Sequence, residues 1–375
     1  MSYKDIIKKL EAVALDPGKA VADTIRETGK DTVGCFPIYT PEEVVYAAGY
    51  VPVGMWGGKT EIKLADRYLQ SFCCSIMRSN MENGIKGTYD MLKAVIIPTF
   101  CDTLKCICEN WKVAVPRTPL IAMVYPQNRA IEAGIEYSCD ELKRVKSELE
   151  KISGREITEE DVEAAWSVYE EYRQAMRDFV RVAADYPQII GAKTRHLIIK
   201  AGCFTDKKIY TDYIRTITAG LAGEEKKPFS GQKAVATGLL AEPVELLEIF
   251  EAENIAFAAD DLAQESRQFR TVSRDEGDVW HRMAMRIADQ KGDTFLYEEE
   301  KTRGDMLIEM VKETGADAVV VFMMKFCDPE EFDYPVYKAQ LEKAGIPVLY
   351  LETEQQMDSF EQIRTRVQSF SEMLM

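Results

Sequence analysis

The sequence predicts an α/β protein built as two Rossmann-like parallel-sheet lobes with a helical insert between them. Eight apolar runs of strand length recur along the 375 residues, and amphipathic stretches of helical period separate most of them. The runs are continuous rather than alternating, which is typical of strands buried on both faces of a parallel sheet. One group lies before residue 125 and the other after residue 232. The predicted strands are 33–38, 51–55, 94–98, 120–124, 234–237, 255–258, 318–323 and 348–351.

The region between the two groups of strands predicts helices. Thr158 is a candidate N-cap because acidic residues follow it in the first turn. The polar glycine and proline segment 223–231 is a candidate linker, and 359–375 predicts a last helix that packs on the second lobe. We therefore expect an N-terminal α/β lobe at 1–140, a helical insert at 141–225 and a C-terminal α/β lobe at 226–375. In the insert, an apolar stripe at helical spacing predicts a buried face: Val162, Trp166, Tyr169, Met176 and Phe179.

The charge and composition exclude several classes of protein. With 47 Lys and Arg against 63 Asp and Glu the net charge is −16, which argues against a nucleic-acid binder. No apolar run reaches the roughly 18 residues that cross a bilayer, and the N-terminus lacks the apolar stretch of a signal peptide. The two histidines, His196 and His281, are too few for most His-rich metal sites. We expect a cytoplasmic protein that partners neither nucleic acid nor membrane.

The nine cysteines are the residues from which chemistry can be inferred. Their number is odd, and no pair has the CxxC spacing of zinc ribbons or thioredoxin-like motifs. A reducing compartment is the simplest setting for such a set. Free cysteine commonly serves as a small buried hydrophobe, so the question is which of them stand where a ligand would stand. They are Cys35, Cys73, Cys74, Cys101, Cys106, Cys108, Cys139, Cys203 and Cys327.

One tripeptide is repeated at the ends of two predicted strands. The run in the first lobe ends in Phe100-Cys101-Asp102 and a run in the second ends in Phe326-Cys327-Asp328. Ligand sites in open α/β sheets lie outside the carboxyl ends of the strands. The two cysteines therefore occupy matching positions, and we expect the lobes to face each other across a cleft that holds the site. Asp102 and Asp328 are expected to cap the helices that follow.

A third candidate is the doublet Cys73-Cys74. Three thiolates from three separated segments suit an iron–sulfur cluster or another thiolate site. Four thiolates saturate a [4Fe–4S] cluster, whereas three leave one iron open to water or substrate. Cys106 and Cys108 follow Cys101 in a predicted helix, where positions two apart point about 200° apart. We expect these two to be packing residues.

Two further motifs resemble ligand-binding sites, but we do not interpret them as such. The segment 54–60, Gly-Met-Trp-Gly-Gly-Lys-Thr, resembles a phosphate-binding loop, but the spacing between its glycines is one residue short, so it predicts a glycine turn. Asp260 and Asp261 follow a predicted strand and could bind a hard cation through their oxygens. We favour helix capping for both.

Six segments, in order along nearly the whole chain, together resemble the D-component family of 2-hydroxyacyl-CoA dehydratases, which also contains benzoyl-CoA reductase subunits. They are Pro41-Glu-Glu-Val-Val-Tyr-Ala-Ala-Gly49 with Pro52-Val-Gly, Cys74-Ser-Ile-Met-Arg-Ser79, Ile97-Pro-Thr-Phe-Cys-Asp102, Asp260-Asp-Leu with Arg267 and Arg270, Lys325-Phe-Cys-Asp328, and Leu351-Glu-Thr with the closing segment Arg364-Thr-Arg-Val-Gln-Ser-Phe370. The length and the stretch 326–333 look more like the smaller, beta-type subunit.

The resemblance implies a heterodimer with a larger homologous subunit, in which each subunit holds a [4Fe–4S] cluster through three cysteines. Carried over by position, the ligands here are Cys74, Cys101 and Cys327, with Cys73 as an alternative to Cys74. A separate ATP-dependent iron–sulfur activator delivers one low-potential electron. A (R)-2-hydroxyacyl-CoA then loses water in a syn-type elimination through a ketyl radical, and the product is the 2-enoyl-CoA. The resemblance assigns this chain's cluster to electron relay or storage, and no catalytic base is assigned.

Two alternatives stay open at this point. The first is a homodimeric double-cubane reductase of the same superfamily, which would need about six ligating cysteines per chain. Cys106, Cys108 and Cys139 could supply the additional ligands. The second is an iron-free two-lobed binding protein whose cysteines are merely buried.

Overall fold

Two four-stranded parallel sheets form the framework of the protein, whose computed structural model describes residues 1–375. The first sheet has the order β2-β1-β3-β4 and the second has the order β6-β5-β7-β8. All eight predicted strands are present, and the two-lobed α/β prediction is confirmed. The strands are β1 Thr32–Cys35, β2 Val51–Gly54, β3 Leu92–Pro98, β4 Leu120–Met123, β5 Gln232–Gly238, β6 Ile255–Leu262, β7 Ala318–Met324 and β8 Val348–Thr353.

Helices connect the strands, as parallel pairing requires. None of them is both long and apolar enough to cross a bilayer. The helices are α1 Tyr3–Leu15, α2 Pro17–Thr28, α3 Glu42–Ala47, α4 Ser75–Lys86, α5 Asp102–Ala114, α6 Glu132–Ser153, α7 Glu159–Ala183, α8 Ala192–Ala201, α9 Lys207–Ala222, α10 Glu245–Ala252, α11 Val279–Ala288, α12 Arg303–Thr314, α13 Asp328–Lys343 and α14 Glu361–Leu374.

Burial of the strands explains the continuous apolar runs. Every residue of β1, β2 and β7 is buried. β7 lies between β5 and β8 and pairs with both, so its side chains meet helices on each face of the sheet. A strand in this position has no solvent face, and the polar alternation of a half-exposed strand is absent from it.

Four helices, α6 to α9, lie between β4 and β5. The predicted cap at Thr158 is confirmed: its hydroxyl accepts from the Asp161 backbone N–H, and the Asp161 carboxylate accepts from the Thr158 N–H. The predicted apolar stripe of α7 is buried, and its Phe179 shares a core cluster with Ile198 of α8 and with Leu10 of α1. The first helix thus packs on helices rather than on a sheet.

The last helix packs on the second sheet, as predicted. Ile363, Val367 and Phe370 of α14 share one core cluster with Leu349 and Leu351 of β8. Full burial of a side chain of this size contributes about 1.5–3 kcal/mol. The helix begins at Glu361, two residues after the predicted start at 359.

The prediction that Asp260 and Asp261 cap a helix is wrong. Both residues lie inside β6, which continues through them to Leu262. They are buried and pair with arginines, Asp260 with Arg195 and Asp261 with Arg267. A buried carboxylate is tolerated when it is paired in this way, so the strand does not end where its apolar run ends.

Candidate functional site

Three cysteines occupy the same local position, immediately before the first residue of a helix. Cys74 precedes α4, Cys101 precedes α5 and Cys327 precedes α13. Cys101 follows β3 and Cys327 follows β7, so both lie at carboxyl ends of parallel strands, one in each sheet. The predicted matching of the two Phe-Cys-Asp segments is therefore present in the fold.

These three cysteines line one cavity of about 320 Å³. The cavity draws on both lobes, since Trp56 and Leu104 come from the first and Leu239 and Phe295 from the second. Thirteen of its 18 lining residues are hydrophobic. A mostly apolar lining disfavours water at the thiols and lowers the local dielectric.

Burial dominates the protonation of the three thiols. It raises the pKa of Cys74 to about 12, with a smaller contribution from the neighbouring Cys101 thiol. Burial also raises the pKa of Cys101, and it raises that of Cys327 further, where Cys74 adds to the effect. The Cys74 thiol raises the pKa of Cys327, and the Cys101 thiol raises the pKa of both Cys74 and Cys327. The three sulfurs therefore share one electrostatic environment. Ligation would therefore release protons from these thiols.

Backbone N–H groups at the helix starts oppose the effect of burial. The N–H of Met77 lowers the pKa of Cys74, those of Leu104 and Thr103 lower the pKa of Cys101, and that of Glu330 lowers the pKa of Cys327. None of the three sulfurs completes a cap hydrogen bond of good geometry. The helix dipoles favour a negatively charged ligand sphere in this cavity, whereas the Met77 N–H already donates to the Cys74 carbonyl at 3.1 Å.

The donor set fits an iron–sulfur cluster better than a single ion. No three His, Cys, Asp or Glu side chains lie close enough together to bind one metal ion. A four-iron cluster is larger, and it takes thiolates as its ligands. Three soft thiol donors around an apolar cavity match that preference, and the residues that could hold such a group are Cys74, Cys101 and Cys327.

The doublet is separated by the start of α4. Cys74 lines the cavity, whereas Cys73 does not and instead lies near Thr103 and Cys106. Both thiols are buried. The helix start thus turns one member of the doublet toward the cavity and leaves the other beside α5.

The remaining cysteines lie outside the cavity, and one of them departs from expectation. Cys108 is buried, as a packing residue should be. The same prediction for Cys106 is wrong, because its side chain is exposed on α5. Cys139 lies partly buried in α6, against the core of the first lobe.

The predicted capping role of Asp102 and Asp328 is also wrong. In both cases the cysteine is the cap residue, and the aspartate is the first residue of the helix. The Asp102 side chain is 91% exposed, and Asp328 is exposed too. As acidic groups in a first turn, they favour the helix through its dipole rather than through a cap hydrogen bond.

A buried ionic network supports the start of α13. Arg267 donates to Asp261 of β6 and, at 3.1 Å, to Glu330 in the first turn of α13. Arg303 of α12 contacts the same Glu330 at 2.9 Å. The sequence pointed to Asp261 and Arg267 but not to Arg303 or Glu330, since nothing in their local sequence distinguishes them from surface charges.

Gln355 joins the two lobes beside the cavity. Its backbone N–H donates to the Ser75 hydroxyl at 3.1 Å, and its side-chain amide donates to the Trp56 carbonyl at 2.8 Å. The Gly58 N–H donates back to its side-chain oxygen at 3.0 Å. The segment 54–60, where a glycine turn was predicted, forms an irregular loop after β2, and Gly57 has a φ of 76° there. The first residue of α4 is thus tied to the loop after β8.

Comparison with known proteins gives a consistent set of matches. The family model described as 2-hydroxyglutaryl-CoA dehydratase, D-component, matches residues 37–374. The chain is 47% identical over 372 residues to the lactoyl-CoA dehydratase subunit beta of Anaerotignum propionicum, with 98% of each chain covered. It is 42% identical to the (R)-phenyllactyl-CoA dehydratase beta subunit of Clostridium sporogenes, over 99% of this chain and 97% of the relative. It is 36% identical to the (R)-2-hydroxyglutaryl-CoA dehydratase subunit beta of Acidaminococcus fermentans, over the full length of both.

Proposed function

Because the chain belongs to the 2-hydroxyglutaryl-CoA dehydratase D-component family, we propose that it is the beta-type subunit of a (R)-2-hydroxyacyl-CoA dehydratase. Such an enzyme is a hydro-lyase that removes water from the acyl group to give a 2-enoyl-CoA. The similarity to three beta subunits over nearly the whole chain supports this role. Their substrates differ in the acyl group and share the 2-hydroxyacyl thioester.

One structural observation carries the proposal for the site. Cys74, Cys101 and Cys327 stand at the starts of three helices around a single apolar cavity. We assign these three as the ligands of a [4Fe–4S] cluster. A cluster of this type can supply or store one low-potential electron, and three protein ligands leave one of its irons open.

The chain's own residues would contribute positioning, charge stabilisation and exclusion of water. The thiolates of Cys74, Cys101 and Cys327 would hold the cluster, and the helix starts that follow them would favour its negative charge. Trp56, Leu239 and Phe295 line the cavity with apolar surface. The Arg267–Glu330 pair and the Gln355–Ser75 hydrogen bond hold two of the three helix starts in place.

The partners follow from the same assignment. The relatives are beta subunits, which implies a second, larger subunit of the same family. An ATP-dependent iron–sulfur activator would provide the electron, and a 2-hydroxyacyl-CoA would be the substrate. All nine cysteines are free, which favours a reducing cytoplasm as the compartment.

Anaerobic purification tests the proposal directly. We expect a brown protein that absorbs near 400 nm and carries about four irons and four sulfides per chain, as a [4Fe–4S] cluster requires. About eight irons per chain would favour the double-cubane alternative, and a colourless protein without iron would favour the binding-protein alternative. Only three of the nine cysteines line the cavity, which supports the lower count.

Activity needs the assembled enzyme. The chain should be co-purified with its larger subunit and assayed with the activator and ATP against a panel of 2-hydroxyacyl-CoA thioesters. Formation of a 2-enoyl-CoA only when both subunits are present would support the assignment. A complex that contains clusters and receives electrons but dehydrates no member of the panel would contradict it.

A further inference from the structure

A small polar cavity lies behind Trp56, which also lines the cavity of the three cysteines. Its volume is about 40 Å³. A void of this size holds about three water molecules or one small ion, since a single water needs roughly 10–15 Å³. Its wall is built by α3, α7, α9, α11 and the loop after β6, which are far apart in the sequence.

Two buried side chains in this wall have polar atoms without a hydrogen-bond partner. Gln264 is 1% exposed, and neither the oxygen nor the nitrogen of its side-chain amide is hydrogen-bonded. Arg173 of α7 is equally buried, and its Nη2 donates to no protein atom. Buried polar groups in native proteins are paired with protein, water or ions, because leaving them unpaired is costly. The cavity is therefore shaped for a polar guest.

The two carboxylates in the wall already have cationic partners. The Oε1 of Glu43 accepts from the Nη1 of Arg173 at 2.6 Å. The Oε2 of Glu42 lies 3.2 Å from the ammonium of Lys207, the first residue of α9. Neither carboxylate is thus left to compensate the third cation of the wall.

That third cation is Arg286 of α11, which pairs with no carboxylate. Its side chain makes one hydrogen bond, from Nη1 to the Gln268 carbonyl at 3.5 Å. Glu170 approaches from outside the wall, but its Oε1 already accepts from Arg173 and from the Ser273 hydroxyl. Burial and the neighbouring Arg173 guanidinium lower the pKa of Arg286. A buried cation in this position favours the binding of a counter-ion.

We propose that this cavity binds one small monovalent anion, either a halide or an oxyanion no larger than bicarbonate. The Gln264 amide and the Nη2 of Arg173 would donate to the anion, and Arg286 would compensate its charge. Bicarbonate would in addition donate its O–H to the Gln264 oxygen. The bound anion would link α7, α11 and the loop after β6. This inference goes beyond the proposed function and does not depend on it.

Anomalous diffraction tests the site directly. Crystals of the two-subunit complex are grown anaerobically with bromide in place of chloride. We expect an anomalous bromide peak in the cavity, in contact with the Gln264 amide and an arginine. Added bicarbonate should displace the bromide if bicarbonate is the natural ligand, and the peak should persist if a halide is. Density for water alone, without an anomalous peak, would overturn the proposal.

Urea denaturation of the full chain gives a second measurement. Bromide is compared with gluconate, which is too large for the cavity, at one ionic strength so that surface charges are screened equally. At ten times its Kd, bromide should lower the unfolding equilibrium constant roughly tenfold, because it binds only the folded protein.

Three variants make the response specific. Arg286→Gln removes the positive charge, and Gln264→Glu supplies a carboxylate in place of the anion, so both should abolish the bromide effect. Arg282→Gln is the matched control: Arg282 lies one turn earlier on α11, pairs with Glu163 outside the wall, and should leave the effect unchanged.

A bromide effect of equal size in wild type, Arg286→Gln and Gln264→Glu would overturn the proposal. If Arg286→Gln fails to fold, Gln264→Glu and the wild-type crystals still decide it. None of these measurements reports on iron or dehydration, so a negative result leaves the proposed function intact.

Discussion

The guanidinium of Arg267 donates from Nε to Oδ1 of Asp261 at 3.0 Å, and neither side chain has any exposed surface. The same arginine reaches Glu330 in the first turn of α13. One buried cation therefore links strand β6 to the helix that begins after Cys327. Removing one member of a buried pair leaves an uncompensated charge, which costs more than losing a surface pair.

We expect Arg267→Ala to lower the free energy of unfolding by about 3–5 kcal/mol, because Asp261 and Glu330 would lose a shared buried partner. Urea denaturation of the anaerobic protein measures the change. Arg274→Ala is the control: Arg274 is half-exposed and pairs with Asp289, so its loss should cost about 0–1 kcal/mol. Equal effects of the two substitutions would show that the network does not support the fold.

Cys101→Ser and Cys327→Ser should each abolish or greatly reduce iron binding, because each removes one of three thiolate ligands. Iron and sulfide analysis after anaerobic purification measures this. Cys108→Ala is the matched control, since Cys108 is buried outside the cavity and should retain the full iron content. If both serine variants keep a complete cluster, the ligand assignment is wrong.

The cysteine doublet can be resolved by two single substitutions. Cys74→Ala should lose the cluster, and Cys73→Ala should keep it, because only Cys74 lines the cavity. The absorbance near 400 nm and the iron content report the result. The reverse pattern would assign Cys73 as the ligand and would mean that α4 begins differently when the cluster is bound.

Cys106 should be the most readily alkylated thiol of the native protein. It is exposed, and every other cysteine is buried or only partly exposed. A short maleimide pulse followed by peptide mass spectrometry should modify Cys106 first and well before the buried Cys108, since accessibility limits the reaction of a thiol. Cys106→Ser serves as the blank. Equal labelling of Cys106 and Cys108 would contradict the orientation of α5.

The pH dependence of stability should report on His196. This residue is buried, with Nδ1 2.9 Å from Glu265 and Nε2 3.5 Å from Glu242. Burial alone would lower the pKa of His196, but the neighbouring carboxylates of Glu242 and Glu265 outweigh it and raise the pKa. A raised folded-state pKa adds stability that is complete below the unfolded pKa and is lost as pH rises through the folded value.

The measurement is the difference in urea midpoint between wild type and His196→Gln, from about pH 6 to about pH 9. The advantage of wild type should shrink as pH rises. An advantage that grows across that window would mean that His196 is neutral in the folded protein, and a constant advantage would mean that folding leaves its pKa unchanged.

Continuous apolar runs made the eight strands predictable, since strands without a solvent face carry few polar residues. The end of β6 could not be predicted in this way. Asp260 and Asp261 interrupt the apolar run. They are compatible with a buried strand only because they form ion pairs with Arg195 and Arg267, which lie outside that strand. Partners distant in sequence leave no local signal. The division of the chain at residues 140 and 225 stays a prediction.

The site was predictable where local sequence defines it. The repeated Phe-Cys-Asp segments placed Cys101 and Cys327 at strand ends, and the fold brings them to one cavity. Helical spacing correctly separated Cys106 from Cys108 but did not tell which of them faces outward, because that depends on how α5 docks. The contributions of Gln355 and Arg303 depend on contacts between lobes and helices far apart in sequence.

The two sheets share one strand order, so corresponding positions can be compared between the two lobes. Cys101 and Cys327 occupy corresponding positions in that order, after the end of β3 and of β7. The helix before β3 has Cys74 at its N-cap position, whereas the helix before β7 has Thr302 there, and neither side chain makes a cap hydrogen bond. Two identical copies would present an even number of thiols. The odd number of thiols at the cavity therefore traces to a difference between the lobes at a single helix start, where one lobe has Cys74 and the other has Thr302.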